Sequence, residues 1–560
     1  MKRIIVLIGM VFVFLACTGD FKEINTDKSG VTDEDLQADY NEHGIRLGII
    51  QQGIYFNYDY GKGKNWPFQL TQNLNADMFS GYMHDAKPLN GGSHNSDYNL
   101  QDGWNSAMWG HTYEYVFPQI YQSENATRDR MPAFFGITKI LKVEVMHRVT
   151  DYYGPIVYSH FADPEARYMP DTQKEVYNAF FCELDTAVAV LSDYIVEHPG
   201  ASEFARFDML LDGDYDSWIK FANSLRMRLA MRIAVASPEK AKTEFRKAMD
   251  NEYGVIREAD ESVAVSTASG YTNPLGEINL VWNEAYMGAP MESILNGYED
   301  PRREIYFATC QDEQFAGEYR GIRQGTCFAH NYYNTLSKLK VTQQTDAVLM
   351  PAAEVWFLRA EAALRGWTDE SAKTCYEEGV MASFRQYGIL QSDAYLESDL
   401  LPADFVDTYD MENDITARCQ VSPRWLESAD RDTKLEKIIT QKWIAMFPEG
   451  CEAWAEQRRT GYPRLFPVRF NHSKDGCIDT ETMIRRLNFP GGLKTENAEQ
   501  YAALVEALGV DAANRRQRAI PGSCGGSGRT RSWRYPIVVG YRHQLVEIPY
   551  LYRDIFYWMG

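Results

Sequence analysis

KIITQKWIAMFPEGCEAWAEQRRTGYP, Lys437–Pro463, is the stretch whose reading decides the fold. Ile439, Trp443 and Met446 recur at i, i+4 and i+7, so they share one helical face. Pro448-Glu449-Gly450 interrupts the helix, a short second helix carries Trp454, and Gly461 with Pro463 ends it. Arg458-Arg459 fall in its last turn, where the helix dipole favours cations. Two tryptophans and an arginine pair in so short a span predict a packed junction between helices. Nothing in the stretch is a catalytic constellation.

Helical patterns extend outward from it. Leu36–Tyr58, Ala133–Thr150, Asp171–Glu197, Tyr215–Ala236 and Pro238–Asn251 all repeat apolar residues at helical spacing. Val176, Phe180, Leu184 and Val188 mark one face of the third. Pro351–Arg365 is followed, after Gly366-Trp367, by Glu370–Gln386 with Ala372, Tyr376, Val380 and Phe384 spaced by four. Small residues on the first helix and aromatics on the second let an antiparallel pair approach closely. The pair resembles a tetratricopeptide repeat. Between the helices lie irregular segments. Trp66–Trp109 is rich in Asn, Gly, His and aromatics, with Pro88 and Gly91-Gly92 as loop signals. Periodicity fades again over Ser266–Val348. Ordered loops of this length are usually functional.

The totals narrow the function. The 560 residues carry 57 Lys and Arg against 78 Asp and Glu, a net charge of −21. This argues against nucleic acid as a partner, since a phosphate backbone demands a basic face. Aromatics reach 13%, with 35 Tyr and 12 Trp, residues that serve both cores and sugar-contacting surfaces. Met1–Ala16 couples Lys2-Arg3 to an apolar run over Ile4–Leu15, too short to span a bilayer and right for a secretory signal. Cys17 follows a small residue, which resembles a bacterial lipobox with Phe14 in place of the usual Leu. Cys17 is therefore the expected lipidation site and lipid the expected anchor. The other eight cysteines show no metal-like spacing. Cys182 and Cys375 are expected to be buried thiols, and a disulfide such as Cys451–Cys477 is permitted in an exported protein.

The lipobox, FKEINTDKSGVT (Phe21–Thr32), MHRVTDYYGPIVYS (Met146–Ser159), WIKFANSLRMRLAMRIA (Trp218–Ala234), the Pro351–Trp367 helix and the Lys437–Pro463 stretch together resemble, in order and spacing, the SusD/RagB family of nutrient-binding outer-membrane lipoproteins. The resemblance implies a mostly α fold: a tetratricopeptide-like helical scaffold with a large loop-rich ligand-binding face. It implies a lipid anchor at the outer membrane and a SusC-like TonB-dependent transporter as partner, to which the lipoprotein hands oligosaccharides or other nutrients without catalysis. On this basis residues 1–16 form the signal peptide, 17–35 a lipidated tether and 36–509 a single SusD-like domain. Its scaffold occupies 36–60, 110–255, 350–390 and 432–460, and its loop-rich insertions occupy 61–109, 260–348 and 391–431.

A sugar presents a flat C–H face ringed by hydroxyls, which proteins meet with aromatic faces, amides and carboxylates. The expected ligand residues are Trp66, Asn73, Tyr82, His94, Asn95, Trp104 and Trp109 from the first irregular region, and Trp282 and Tyr286 from the second. The alternative for each aromatic is that it packs a loop onto a helix. Asp212, Asp214 and Asp216 alternate as in a calcium loop, but Ser217 stands where Gly is expected and Asn223 where Glu is. They are read as a helix N-terminus. His111 and Glu114 share a helical face without a third ligand, so a polar pair is expected, and no metal or cofactor. No nucleophile, zinc, phosphate or dinucleotide motif is present.

The composition changes at Asn514. Asn514–Gly560 holds eight Arg against Glu547 and Asp554, a net of +6, so the preceding residues carry −27. Lys494 is the last lysine, and the Trp-Trp-Asp-like ending of similar family members is missing. A frameshift accounts for residues 510–560. The alternative is a genuine basic tail that docks on a partner or on lipid headgroups. Two other functions compete with nutrient binding. One is a secreted glycoside hydrolase, which needs two carboxylates across a groove, and the other is a scaffold or adhesion lipoprotein.

Overall fold

Helix packing on helix builds the molecule in this computed structural model, which describes residues 40–57, 66–89, 95–326, 331–390 and 392–510. Six helices form the first part of the scaffold: α1 (Asn41–Ile54), α2 (Phe117–Thr127), α3 (Pro132–Tyr153), α4 (Gln173–Glu197), α5 (Tyr215–Arg232) and α6 (Pro238–Met249). Each packs on its neighbour in sequence. α3 is buried on nearly every side and is the axis of the scaffold. Pro132 starts it, and Gly154 at φ 85° stops it. A capping box between Thr172 and Glu175 starts α4. Asp214 caps α5, accepting from the Ser217 backbone N–H at 3.3 Å and the Ser217 hydroxyl at 2.5 Å. Asp214 of the aspartate cluster is thus engaged in starting a helix.

The second part comprises α7 (Ala352–Leu364), α8 (Ala372–Gln386), α9 (Arg431–Ala445), α10 (Gly450–Thr460) and α11 (Ala498–Val510). α7 and α8 form the expected hairpin. Their approach is set by Gly379, where a Cβ would lie 2.7 Å from the Phe357 ring. α7 also packs on α5 and α9, joining the two parts. Two small antiparallel pairs accompany the helices: β1 (Met83–His84) with β3 (Tyr286–Met287), and β2 (Val263–Val265) with β4 (Ala347–Met350).

The break inside Lys437–Pro463 falls between α9 and α10 as read, and Gly461 ends α10 at φ 80°. Ile439, Trp443, Met446 and Trp454 are all buried. The indole N–H of Trp443 donates to Ser80 O at 2.9 Å and that of Trp454 to Ile484 O at 3.2 Å. Around them runs a network of buried charges. Arg228 pairs with Glu354 (2.7 Å), Lys442 with Glu452 (2.9 Å) and Glu354 (3.4 Å), Arg232 with Glu456 (2.8 Å) and Asp151 (3.1 Å), and Arg459 with Glu361 (2.6 Å) and Glu456 (2.7 Å). Arg148 reaches Glu144 (3.2 Å) and Glu449 (3.3 Å). Every member lies in or beside the segments that carry the family resemblance. Those segments are therefore strands of one ionic lattice tying α3, α5, α7, α9 and α10 together.

Several expectations need correction. The first irregular region is not mainly loop. Trp66–Phe68 runs into a π-helix, Gln69–Asp77, and short helices follow at Asp102–Asn105 and Ala107–His111. Apolar periodicity fails there because the helix buries polar side chains: Thr71 Oγ1 donates to Pro67 O at 2.8 Å, Asn75 Nδ2 to Leu70 O at 2.8 Å and Gln72 Nε2 to Asp77 Oδ1 at 3.1 Å. Cys182 is exposed, whereas Cys375 is buried. Cys451 is a free buried thiol 3.5 Å from the Tyr152 hydroxyl, so it does not pair with Cys477, which is itself disulfide-bonded. Cys17, His94 and the 511–560 tail lie outside the described residues. Among those described, no helix is long and apolar enough to cross a membrane.

Candidate functional site

The two irregular regions meet. Gln69 Nε2 donates to Glu284 Oε2 at 2.7 Å, and Lys87 Nζ lies 3.1 Å from Glu284 Oε1. Trp66 and Gln69 are three residues apart on one helical run and so lie on the same side of it. The helix Pro274–Leu280 packs against the same run and leads directly into Val281, Trp282 and Asn283. Trp66 is 40% exposed, Leu280 51% and Val281 61%, while Trp282 is half-buried against the core. Trp66 also faces the His111 ring at 5.6 Å, and His111 faces the exposed Tyr115 at 6.1 Å. Burial lowers the His111 imidazole to about 4, which keeps this aromatic cluster uncharged near neutrality. The result is an apolar, aromatic surface edged by an amide, a carboxylate and an ammonium.

The other sequence candidates separate into two groups. Asn95 is a buried hub. Its side-chain NH2 donates to Asn75 Oδ1 at 2.6 Å and Asn105 Oδ1 at 3.0 Å, while its carbonyl accepts from the Gln101 N–H at 2.9 Å. Asn75 reaches Trp104 O at 3.4 Å, so the hub positions the backbone beneath half-buried Trp104. Asn73 is buried and donates to Met83 Sδ at 3.2 Å. Tyr82, Trp109 and Tyr286 are core residues. Tyr82 packs on Trp443 at 5.0 Å and donates to its carbonyl. Trp109 is enclosed by Tyr113, Tyr153 and Phe489. Tyr286 sits in β3 and donates to Asn283 Oδ1 at 3.0 Å and Asn334 O at 3.1 Å. For these three, packing loops onto helices is the observed role.

Sequence reading missed a third segment, 465–490. His472 N donates to Asp97 O at 2.8 Å, and His472 Nδ1 lies 2.8 Å from Asp97 Oδ2. Arg469 N donates to Gln324 O at 2.8 Å and Phe470 N to Gly325 O at 3.2 Å. One segment thus clasps both irregular regions. Its signal was modest: RFNHSKDG, a turn-rich run straight after the strongest helical motif.

Burial raises six carboxyls: Asp77 to about 8, Glu144 to about 7 and Glu292 to about 8, with Glu114, Asp208 and Glu436 shifted in the same direction. Asp77 and Glu144 lie inside the scaffold beside Glu449, and Glu292 accepts from the buried Gly321 N–H at 2.5 Å. Glu114 is the one beside the aromatic surface, hydrogen-bonded to Tyr115.

A mostly α-helical scaffold that carries an aromatic surface of helix and loop residues is the architecture of a known class of proteins. Residues 23–517 match the SusD-like family, described as SusD and RagB outer-membrane lipoproteins, and the chain belongs to that family. A SusD homologue from Bacteroides vulgatus is 44% identical, with a TM-score of 0.80 over 88% of this chain and 98% of that one. A chitin-binding SusD homologue from Flavobacterium johnsoniae is 40% identical, with a TM-score of 0.80 over 84% and 97%. A SusD homologue from Bacteroides uniformis is 32% identical, with a TM-score of 0.74 over 83% and 96%. No curated protein matches the chain. The mostly α, tetratricopeptide-like fold and the outer-membrane lipoprotein class read from the sequence are those of this family.

Proposed function

We propose that this lipoprotein captures an oligosaccharide at the surface formed by Trp66, Trp282 and the helix and loop that carry them, and passes it to a SusC-like TonB-dependent transporter. The observation that supports the reading is the Gln69–Glu284 contact, which joins the helical run that begins at exposed Trp66 to the loop that carries half-buried Trp282. Stacking on such rings contributes roughly 1–3 kcal/mol each in the analogous case of bases. Gln69, Glu284 and Lys87 supply the hydrogen bonds a hydroxyl rim requires. The chitin-binding relative supports an N-acetylated glycan as the first ligand to try. Cys17 would hold the protein at the membrane, and Trp104 extends the face from the Asn95 hub.

Affinity electrophoresis against a polysaccharide panel, chitin oligosaccharides included, tests the proposal. Retardation by at least one glycan, abolished in Trp66→Ala/Trp282→Ala, is the expected result. Unchanged retardation in that variant would move the site elsewhere, and release of shorter sugars would make the protein an enzyme.

A further inference from the structure

Resting on the glycan-binding reading above, we infer that the junction of residues 323–326 with 467–470 is a subsite for an anionic group on the bound sugar, a carboxylate or sulfate ester engaged by Arg469. The chain is strongly acidic, yet this junction gathers cations. Arg323 is buried and none of its hydrogen bonds goes to a carboxylate: it donates to Pro467 O at 3.2 and 3.3 Å, Asn413 O at 3.0 Å and Asp414 O at 3.5 Å. Arg469 and Arg418 face it, and together with burial they lower its pKa to about 10, outweighing the pull of Asp407. A buried guanidinium bonded only to backbone carbonyls, with Arg469 on the adjoining segment, favours an anion nearby.

Donors without partners lie on the same two segments. Gln324 Nε2, Thr326 Oγ1 and Arg469 Nε are buried and make no hydrogen bond. Gln324 and Thr326 flank Gly325, where a Cβ would lie 2.8 Å from Phe470 O, so the segments touch at that glycine. The carboxylates already near the outer arginines are themselves exposed: Glu412, 3.3 Å from Arg469, and Glu481, 2.7 Å from Arg418. Exposed pairs of this kind contribute little and yield to a ligand that brings further hydrogen bonds. Phe470 stacks on His472 at 6.3 Å and 10°, which sets an apolar ring beside the cations. His472 binds Asp97, in the short helix that begins at Asn95. The subsite is therefore one segment away from the hub beneath Trp104. An acidic sugar presents the matching pair of features, a C–H face and a negative group.

The test uses the mature lipoprotein in detergent and three ligands: oligogalacturonides, chondroitin sulfate oligosaccharides and neutral chito-oligosaccharides. An acidic ligand should bind more tightly than the neutral one, and whichever acidic ligand does so identifies carboxylate or sulfate. Arg469→Gln should cost the acidic ligand about tenfold and leave the neutral one unchanged. Thr326→Val, which keeps the side chain's shape, should weaken acidic binding about threefold. Equal affinity for all three ligands, or no effect of Arg469→Gln on the acidic ones, overturns the subsite and leaves glycan binding intact. If no ligand binds, the glycan reading fails. The anion site is then judged by sodium sulfate alone: a rise in Tm absent from Arg469→Gln retains it, and an equal rise in both proteins removes it.

Discussion

The α9–α10 junction and the aromatic face use the same residue types to opposite ends. At the junction, Trp443 and Trp454 are buried, their indole N–H groups are satisfied, and carboxylates interlock with guanidinium groups inside the scaffold. At the face, Trp66 is exposed, Trp282 is half-buried, and Gln69 and Lys87 each contact Glu284 at the rim. A tryptophan or a glutamate does not declare which role it has. Its surroundings decide, and those come from segments hundreds of residues apart. The lesson is that motif strength follows structural constraint: the lattice demands particular charges at particular helical positions, whereas the face demands only aromatic and polar surface.

The comparison can be broken at several points. The largest effect is expected at the lattice. Glu354→Ala removes the nearest carboxylate of Arg228, leaving it Glu144 and Glu452 at 3.6 Å, and one partner of Lys442, and it should cost about 3–5 kcal/mol in denaturant unfolding. A cost below about 1 kcal/mol would show that the lattice does not hold the scaffold. At the face, Trp66→Ala and Trp282→Ala should each weaken glycan binding by about 1–3 kcal/mol while leaving the unfolding midpoint in place. A drop in Tm as large as that of Glu354→Ala would make these residues structural after all.

Asp77 sharpens the comparison through pH. Burial and then Glu449 raise its carboxyl from 3.8 to about 8. Its contribution to stability is fully present below the unfolded value and is lost as pH rises through about 8, because the unfolded chain ionises first. Asp77→Asn should therefore gain on the wild type by more than about 1 kcal/mol between pH 5 and pH 8.5, read from unfolding midpoints at both. An equal difference at the two pH values would mean that Asp77 is ionised in the fold. The smallest effect is expected at the clasp. His472 is 60% exposed, so His472→Ala should change stability by less than about 1 kcal/mol. Its consequence should be a modest loss of glycan affinity, measured by the same electrophoresis, as Asp97 loses its partner.

Much of the fold was legible. The α9 and α10 helices, the α7–α8 hairpin and the Asp214 cap follow from spacing, a breaker and a capping side chain, all local rules. The run at 66–77 was misread because Gln72, Asn73 and Asn75 are buried and bonded, and a buried amide leaves no apolar period. The site was legible only in part. Trp66 is exposed and Trp104 and Trp282 are half-buried, which leaves them available to the proposed face, while Tyr82, Trp109 and Tyr286 are in the core. For His472 and Arg469 the turn-rich run RFNHSKDG was the one sign, and it named no partner, since Asp97 and Gln324 lie far away in sequence.

By itself the sequence determined the helical class, the positions of the major helices, the family and the segments that form its ionic lattice. Each depends on interactions within a few residues or on charges held at fixed helical spacing. Only the tertiary structure decided which aromatics face outward, which amides bind their own backbone, and where an arginine is buried with no carboxylate among its hydrogen-bond partners. Burial and partner choice are set by the approach of distant segments, and no local pattern encodes that approach.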